Sequence, residues 1–242
     1  MTDKCALVVG AGPGLGRALA HAFGRQGLIV CVARRDGDAA SALAQEVSRD
    51  TGTPAHGLAL DARDEDQVAA LFDQIEADIA PLEVVIFNAG GWHQDSIVDM
   101  GADLYRKVWE TAAFAGFLVG RQAARAMVPR GAGTILFTGA TASRRGSPRF
   151  SAFAGAKFAL RALAQSMARE LGPKGVHVAH VVIDGMIDTA GVRARFADHI
   201  AKLPDDGLLA PDAIAQTYVA LHAQPRSAWS FEVDLRPWCE SW

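Results

Sequence analysis

The first apolar run of this chain, Cys5–Val9, leads into Gly10-Ala11-Gly12-Pro13-Gly14-Leu15-Gly16. A segment with helical spacing, Leu15–Gln26, opens inside this turn. The glycines stand in the pattern Gly-x-x-x-Gly-x-Gly, because the third glycine of Gly-x-Gly-x-x-Gly would fall on Leu15 or Arg17. A strand that passes through a glycine-rich turn into a helix is typical of the first half of a β-α-β unit.

Three glycines of this turn have separate predicted roles. Gly10 permits the tight turn, Gly14 lets the backbone approach a pyrophosphate, and Gly16 lets the helix pack close to the strand. From Leu15 onward, the helix N-terminus offers free N–H donors and the positive end of its dipole to the same pyrophosphate. A glycine-rich turn can also be only a turn, but its place in the first β-α-β unit favours a dinucleotide site.

Along the rest of the chain, short apolar runs alternate with longer segments of helical spacing, which predicts repeated β-α-β units and a parallel sheet. The predicted strands are Cys5–Val9, Leu28–Ala33, Ala55–Leu60, Val84–Asn88, Gly133–Thr138, His177–Ile183 and Trp229–Leu235. The predicted helices are Leu15–Gln26, Asp38–Asp50, Asp64–Ile79, Asp103–Met127, Phe150–Leu171 and Pro211–His222. Gly27, Gly131 and Gly172 are predicted to be left-handed caps. The long segment Asp188–Gly207 breaks the alternation and predicts a mobile flap or an excursion into short helices near the site.

Composition and length place the chain among globular proteins of one domain. Its 242 residues are 50% hydrophobic and 21% charged, which suits one large α/β domain over residues 1–242. The formal net charge is -3 and no block of lysine or arginine stands out, which argues against nucleic acid and membrane partners. No apolar stretch approaches the ~20 residues of a membrane-spanning helix. A small-molecule substrate is therefore expected.

The three cysteines, Cys5, Cys31 and Cys239, are far apart and lack a Cys-x-x-Cys pair or a histidine at ligand spacing. No disulfide framework and no metal site are expected, and Cys5 and Cys31 are predicted to be core thiols. The segment Met1–Lys4 has none of the regions of a signal peptide, so a cytoplasmic location is expected.

Four further segments with chemical groups stand at predicted strand ends or on the fifth helix. They are Asp61-Ala62, Phe87-Asn88-Ala89-Gly90, Lys157 and Asp184-Gly185-Met186-Ile187-Asp188-Thr189. With the glycine turn they resemble, in order and context, the motifs of the short-chain dehydrogenase/reductase family, and the resemblance covers nearly the whole chain. It implies a single Rossmann-like, doubly wound α/β domain with a seven-stranded parallel sheet, helices on both faces, and a substrate site beyond the carboxyl ends of the strands.

The resemblance also implies the cofactor contacts. Asp61 matches an aspartate that contacts adenine, and Lys157 matches the lysine that holds the nicotinamide ribose. Phe87 replaces the first asparagine of the family's Asn-Asn-Ala-Gly, and Asp184 replaces the proline of its Pro-Gly-x-x-x-Thr motif beside the nicotinamide. The residues expected to contact the dinucleotide are Gly10, Gly14, Leu15, Gly16, Arg34, Arg35, Asp61, Ala62, Asn88, Ala89, Gly90, Lys157, Gly185 and Thr189.

The end of the second strand reads Val32-Ala33-Arg34-Arg35, where an NAD enzyme usually has an acidic residue for the ribose hydroxyls. Arg34 and Arg35 offer planar, permanently charged donors suited to a 2′-phosphate, and no carboxylate in this run would repel it. The alternative is two solvated arginines at a strand end. We expect NADP(H) to be preferred over NAD(H).

The family's proton-transfer residues are missing from their positions. The family uses Tyr-x-x-x-Lys with a serine thirteen residues before the tyrosine, but here Phe153 precedes Lys157 and Ala140 stands at the serine position. Ala113 aligns with the family's asparagine, and Phe150 holds the tyrosine position of the related enoyl reductases. A phenyl ring has no ionisable group and alanine has no donor, so neither can protonate or polarise a carbonyl. Ordinary ketone reduction is expected to be slow, and the pocket floor to be apolar.

Other proton donors stand nearby in sequence. His93 follows the fourth-strand motif, and Asp184 ends the sixth strand. The loop and helix start after the fifth strand contain Thr141, Ser143, Ser147 and Ser151. Each such residue is more commonly a turn or cap residue. Lys157, Ser143 and His93 are the residues predicted to take part in catalysis.

The leading functional hypothesis is an NADP(H)-dependent oxidoreductase of atypical mechanism. Its substrate is expected to be apolar or cationic, and an activated acceptor such as an iminium or quinone would not need a strong acid. The alternatives are a catalytically inactive nucleotide-binding sensor or partner subunit, and a lyase, isomerase or epimerase on the same scaffold. Long alanine-rich helices, whose family counterparts pair across a two-fold axis, and a tail containing Trp238 and Trp242 indicate a homodimer or homotetramer.

Overall fold

The computed structural model describes residues 4–241, and its seven strands form one parallel sheet in the order β3-β2-β1-β4-β5-β6-β7. The strands are β1 (Cys5–Val9), β2 (Ile29–Arg34), β3 (Ala55–Ala59), β4 (Leu82–Phe87), β5 (Thr134–Thr138), β6 (His177–Ile183) and β7 (Glu232–Leu235). The predicted seven-stranded parallel sheet is therefore confirmed. Met1–Asp3, on which the expected absence of a signal peptide partly depends, and Trp242 lie outside the described residues.

Helices cover both faces of the sheet. They are α1 (Leu15–Arg25), α2 (Gly37–Thr51), α3 (Glu65–Gln74), α4 (Ala102–Trp109), α5 (Ala115–Met127), α6 (Ser151–Leu171), α7 (Ala190–Arg195), α8 (Ala197–Ile200) and α9 (Pro211–His222). Asp64 caps α3, because its carboxylate accepts the backbone N–H groups of Asp66 and Gln67. Within residues 4–241, no helix is both long and apolar enough to cross a membrane.

Two predicted helices contain a wider turn than their spacing indicated. A π-helical turn over Ile75–Ile79 continues α3, and another over Glu110–Phe114 joins α4 to α5. The predicted short-helix excursion after β6 is confirmed by α7 and α8. The cap predicted at Gly172 is wrong, since that residue has a φ of -53° and Gly175 is the left-handed residue, with a φ of +84°. The chain passes through a 3-10 turn between the two glycines before it reverses.

Alternate residues of β1 pack into two separate cores. Cys5 and Leu7 belong to the core with α3, α5 and α6, whereas Ala6 and Val8 belong to the core with α1, α2 and α9. Because both faces are covered, the strand needs no polar alternation. Cys5 and Cys31 are buried free thiols whose Sγ atoms lie 3.4 Å apart, as predicted, and the pKa of Cys5 is raised by its hydrogen bond to Cys31 and by burial.

The order of the strands places a crevice at one end of the sheet. From β1 the chain builds β2 and β3 on one side, and then crosses to build β4 to β7 on the other. Ligands of open α/β sheets bind at such a switch point, beyond the carboxyl ends of the strands. The loops that begin at Gly10, Asn88, Gly139 and Asp184 all lie at this end.

Candidate functional site

The glycine turn after β1 is held by close backbone packing. Gly10 has a φ of +88°, and its carbonyl accepts a hydrogen bond from Asn88 Nδ2 at 3.0 Å. A Cβ added at Gly16 would lie 2.7 Å from the Gly10 carbonyl oxygen, so α1 packs directly against the turn. A Cβ added at Gly14 would lie 2.6 Å from Thr189 Cγ2. Three segments predicted to contact a dinucleotide thus meet here, and Gly12 has open space above it.

One cavity, of about 310 Å³, extends from this turn to the ends of β2 and β3 and is lined by Gly12, Arg34, Arg35, Asp61 and Ala62. The Nη1 atom of Arg34 lies 3.5 Å from the Ala11 carbonyl oxygen, so this side chain folds over the turn. The lining of this cavity offers cations, open backbone and a carboxylate, which are the groups that the phosphate and adenosine portion of a dinucleotide requires.

Two charged residues that were not selected from the sequence also line this cavity, namely Asp36 and Arg63. Asp36 follows the Arg34-Arg35 pair and also lines the cavity, but its carboxylate accepts the Ala39 N–H at 3.0 Å and caps α2. Arg63, which the analysis did not select, donates to both oxygens of Asp61 at 2.9 and 2.5 Å. The hydrogen bond from Arg63 lowers the pKa of Asp61 to about 2. Asp61 is therefore held ionised and oriented from within its own loop.

A larger cavity, of about 900 Å³, opens beyond β4, β5 and β6. Lys157 lines it, and its Nζ donates to the Thr138 carbonyl oxygen at 2.8 Å. A Cβ added at Gly90 would lie 3.3 Å from this ammonium group, so Lys157 lies between the ends of β4 and β5. Burial lowers the pKa of Lys157 to about 8, which leaves it mostly protonated at neutral pH.

The floor of the larger cavity is apolar. Ala140 and Phe153 both line it. The Phe153 ring lies 6.5 Å from that of Phe150, and the Phe150 ring lies 5.7 Å from that of Trp92. Trp92, which the sequence analysis did not select, thus extends the phenylalanine face. Its position directly after the Gly90-Gly91 pair was the available signal.

The structure places neither Ser143 nor His93 among the residues that line the larger cavity. Ser143 is fully buried, and its Oγ accepts the Ala140 N–H at 3.1 Å. The side chain of His93 is directed toward Asp95, with Nε2 3.9 Å from the carboxylate. Ser143 is thus engaged in capping and His93 packs within its own loop, so neither lines the cavity in this structure, and their catalytic roles stay predictions.

Thr141 is better placed than either. It lines the larger cavity, and its hydroxyl donates to Asp184 Oδ1 at 2.6 Å. Because Asp184 accepts the hydrogen bond of this hydroxyl, Thr141 offers the cavity an acceptor more readily than a donor. Tyr218 is no substitute, because it is fully buried and its hydroxyl is bonded to the Thr138 hydroxyl.

A possible metal-ligand group lies on α1 and α2, among residues that line neither cavity. His21, Glu46 and Asp50 bring one ligand atom each within 4.8 Å of one another. Arg17 pairs with Glu46, and Arg49 pairs with Asp50 at 3.1 Å. Both carboxylates are thus already bound to guanidinium groups.

Known proteins share this fold. The short chain dehydrogenase family model matches residues 4–199. The 3-oxoacyl-acyl-carrier-protein reductase of Escherichia coli is 29% identical over 231 residues, which cover 93% of this chain and 92% of that protein. A short-chain dehydrogenase structure from Rhodopseudomonas palustris is 42% identical with a TM-score of 0.83, covering 97% of this chain and 99% of that one.

A metagenomic short-chain oxidoreductase, solved in complex with NADP, is 26% identical with a TM-score of 0.83, and the match covers 98% of this chain and 97% of that chain. The match in fold to these solved structures extends over nearly the whole chain. Since the family model matches most of this chain, the chain belongs to the short chain dehydrogenase family of oxidoreductases.

Proposed function

We propose that this protein is an NADP(H)-dependent oxidoreductase that reduces or oxidises a small molecule without a tyrosine acid. One observation carries the proposal. The cavity at Arg34 and Arg35 and the cavity at Lys157 share Asn88 and Gly90 in their linings, so they form one cleft. Such a cleft suits a dinucleotide lying across the sheet end, with its nicotinamide half beside Lys157. The metagenomic relative crystallised with NADP supports the same cofactor class.

The protein's own groups would act mainly by positioning. Bound NADPH supplies a hydride. The Lys157 ammonium, fixed by the Thr138 carbonyl, would hold the nicotinamide ribose. Phe153 and Ala140 would keep water from the reacting atoms, but neither delivers a proton. We assign no proton transfer to Ser143 or His93, because neither lines the cavity.

This distribution of groups favours acceptors that need no acid from the protein. An iminium carbon becomes a neutral amine on receiving hydride, and a quinone becomes a phenolate that water can protonate. A ketone instead develops an alkoxide, which Ala140 and Phe153 leave unsupported. The proposed substrate class is therefore an activated acceptor.

A turnover panel with NADPH tests this function. We expect kcat/KM for iminium and quinone acceptors to exceed that for matched ketones by at least about 100-fold, the scale of one missing general acid. The double variant Phe153→Tyr, Ala140→Ser should raise ketone reduction by less than about 10-fold, because Phe150, Ala113 and Asp184 would still depart from the residues usual in the family at those positions. A gain above roughly 10³-fold would show a reductase that lacks only its acid. Tight NADPH binding without turnover of any acceptor would instead support a nucleotide sensor.

Cofactor preference depends on the end of β2. The parent protein is expected to bind NADPH about 10- to 100-fold more tightly than NADH, the range of one or two charge-assisted hydrogen bonds. Arg34→Ala should remove most of this difference while leaving NADH affinity nearly unchanged. The control is Arg25→Ala, at the exposed end of α1. Fluorescence titration of the three proteins with both nucleotides gives the six affinities, and equal binding of the two nucleotides by the parent contradicts the assignment.

The protein is further proposed to be a homodimer or homotetramer. Tyr105, Trp109, Phe117 and Phe158 are each about 40% exposed and lie on α4, α5 and α6, and a monomer would leave this aromatic surface in water. Light scattering at micromolar concentration is expected to give a mass of two or four chains. A mass of one chain would rule out the proposal that this aromatic surface pairs with a second copy of the chain.

A further inference from the structure

The charged residues that line the larger cavity all have the same sign. Its charged lining residues are Arg145, Lys157 and Arg195, and no carboxylate lines it within the described part of the chain. Lys157 is buried between the ends of β4 and β5 and is assigned to the ribose, whereas Arg145 and Arg195 are exposed. A substrate with a cationic group at the end that faces these arginines would find no counter-charge there, although a cationic substrate was one of the two kinds expected from the sequence. An anion would find two guanidinium groups.

Arg195 is held in place without being neutralised. Its guanidinium carbon lies 4.2 Å from the centre of the Trp92 ring and 5.6 Å from that of Phe196. Stacking on a ring uses the face of a guanidinium group and leaves its N–H edges available to an anion. Among residues 4–241, no carboxylate forms an ion pair with Arg195 or Arg145.

Neighbouring arginines behave differently. Arg193, two residues earlier on α7, donates to both oxygens of Asp188 at 2.5 and 2.7 Å. Arg144 pairs with Asp234. The two arginines that face the cavity are therefore the ones whose charge is still available, and Arg193 provides a matched control on the same helix.

An apolar wall connects Arg195 with the floor of the cavity. From Arg195 the contacts run through Trp92 and Phe150 to Phe153. A ligand that reaches from the floor to the guanidinium group must cross three aromatic rings. Its body must then be apolar and its far end charged.

We propose that the substrate is an amphipathic anion, with an aromatic or acyl body along Phe153, Phe150 and Trp92 and a terminal carboxylate or phosphate on Arg195 and Arg145. The inference rests on the proposed function in one respect, since the opposite end of the same molecule is the end that reacts beside Lys157. Because the charged residues of the described lining are all cations, the proposal replaces the cationic substrate expected from the sequence with an anionic one.

Three probes with the same biphenyl body test the proposal by calorimetry on the NADPH-saturated protein: biphenyl-4-carboxylate, biphenyl-4-carboxamide, which matches the carboxylate in shape, and biphenyl-4-yl-trimethylammonium. We expect the carboxylate to bind at least about 10-fold more tightly than the amide, the scale of one charge-assisted hydrogen bond, and the cation to bind most weakly. Biphenyl-4-yl phosphate should bind at least as tightly as the carboxylate. Raising the salt concentration should reduce the preference for the anions.

Arg195→Gln should bring the carboxylate and the amide within about 3-fold of each other without weakening the amide. Arg193→Gln removes the same charge from the same helix and should keep the preference. If Arg195→Gln and Arg193→Gln lost the preference for the carboxylate equally, the proposal would be overturned. It would also be overturned if the amide or the cation bound most tightly. A parallel loss of NADPH affinity in Arg195→Gln would assign this arginine to the cofactor phosphates instead. The titration needs no turnover, so the two proposals can fail separately. A protein that reduces no acceptor but prefers the carboxylate would contradict only the proposed function. An active reductase that prefers the amide would contradict only the anionic substrate.

Discussion

Replacing Gly10 with alanine is expected to lower the free energy of unfolding by more than about 3 kcal/mol, a large part of the stability of a typical domain. Two causes act together. The residue has a φ of +88°, a region that costs a residue with a Cβ about 1–2 kcal/mol. The added Cβ would also lie 2.5 Å from the Ala89 nitrogen and 2.7 Å from the Asn88 carbonyl carbon. Both are backbone atoms, so no side-chain rotation relieves the contact.

Gly12→Ala is the matched control for this variant. It adds the same methyl group two residues later in the same turn, where nothing lies within 4 Å of the new Cβ. Its stability should stay within about 0.5 kcal/mol of the parent. Urea unfolding followed by circular dichroism compares the three proteins. A Gly10→Ala variant as stable as Gly12→Ala would show that the turn can move away from the β4 loop.

Lys157→Met is expected to reduce NADPH affinity by at least about 100-fold, because the buried ammonium group that we propose to hold the ribose is replaced by an uncharged chain. The same change should alter how stability depends on pH. Burial lowers the pKa of Lys157 from its ordinary value of 10.5 to about 8. Below pH 8 the folded protein carries this buried charge at full cost. Between about pH 8 and 10.5 the unfolded chain binds more protons than the folded protein, so stability from this group rises with pH.

Lys157→Met lacks that pH dependence. The melting temperature of the variant minus that of the parent should therefore be highest near pH 7 and should fall as the pH is raised from 8 toward 10. Lys107→Met, a substitution on the exposed surface of α4, should show a constant difference and normal NADPH binding. Unchanged NADPH affinity in Lys157→Met would remove this lysine from the cofactor site. A flat melting difference would mean that the ammonium group is not buried as the structure shows.

Local sequence was sufficient for the parts of the site that depend on neighbouring residues. The turn at Gly10 follows from steric rules that operate within a few residues, and the position of Lys157 follows from helical spacing on α6. The pairing of Asp61 with Arg63 is equally local, and the Asp-x-Arg spacing could have indicated it. Side-chain direction in loops was not predictable in this way. Ser143 turns inward because the Ala140 N–H needs an acceptor, which only the folded loop reveals.

By itself, the sequence determined the β-α-β order, the seven strands, the glycine turn and the absence of tyrosine and serine at positions 153 and 140, because these depend on residue type and short-range spacing. Only the tertiary structure decided which charges face the substrate. Arg193 and Arg195 look equivalent in sequence, but Arg193 is bound to Asp188 whereas Arg195 stacks on Trp92 from a distant loop. Contacts between loops of different strands arise when the sheet brings the strand ends together, and no local pattern encodes which side chains meet there.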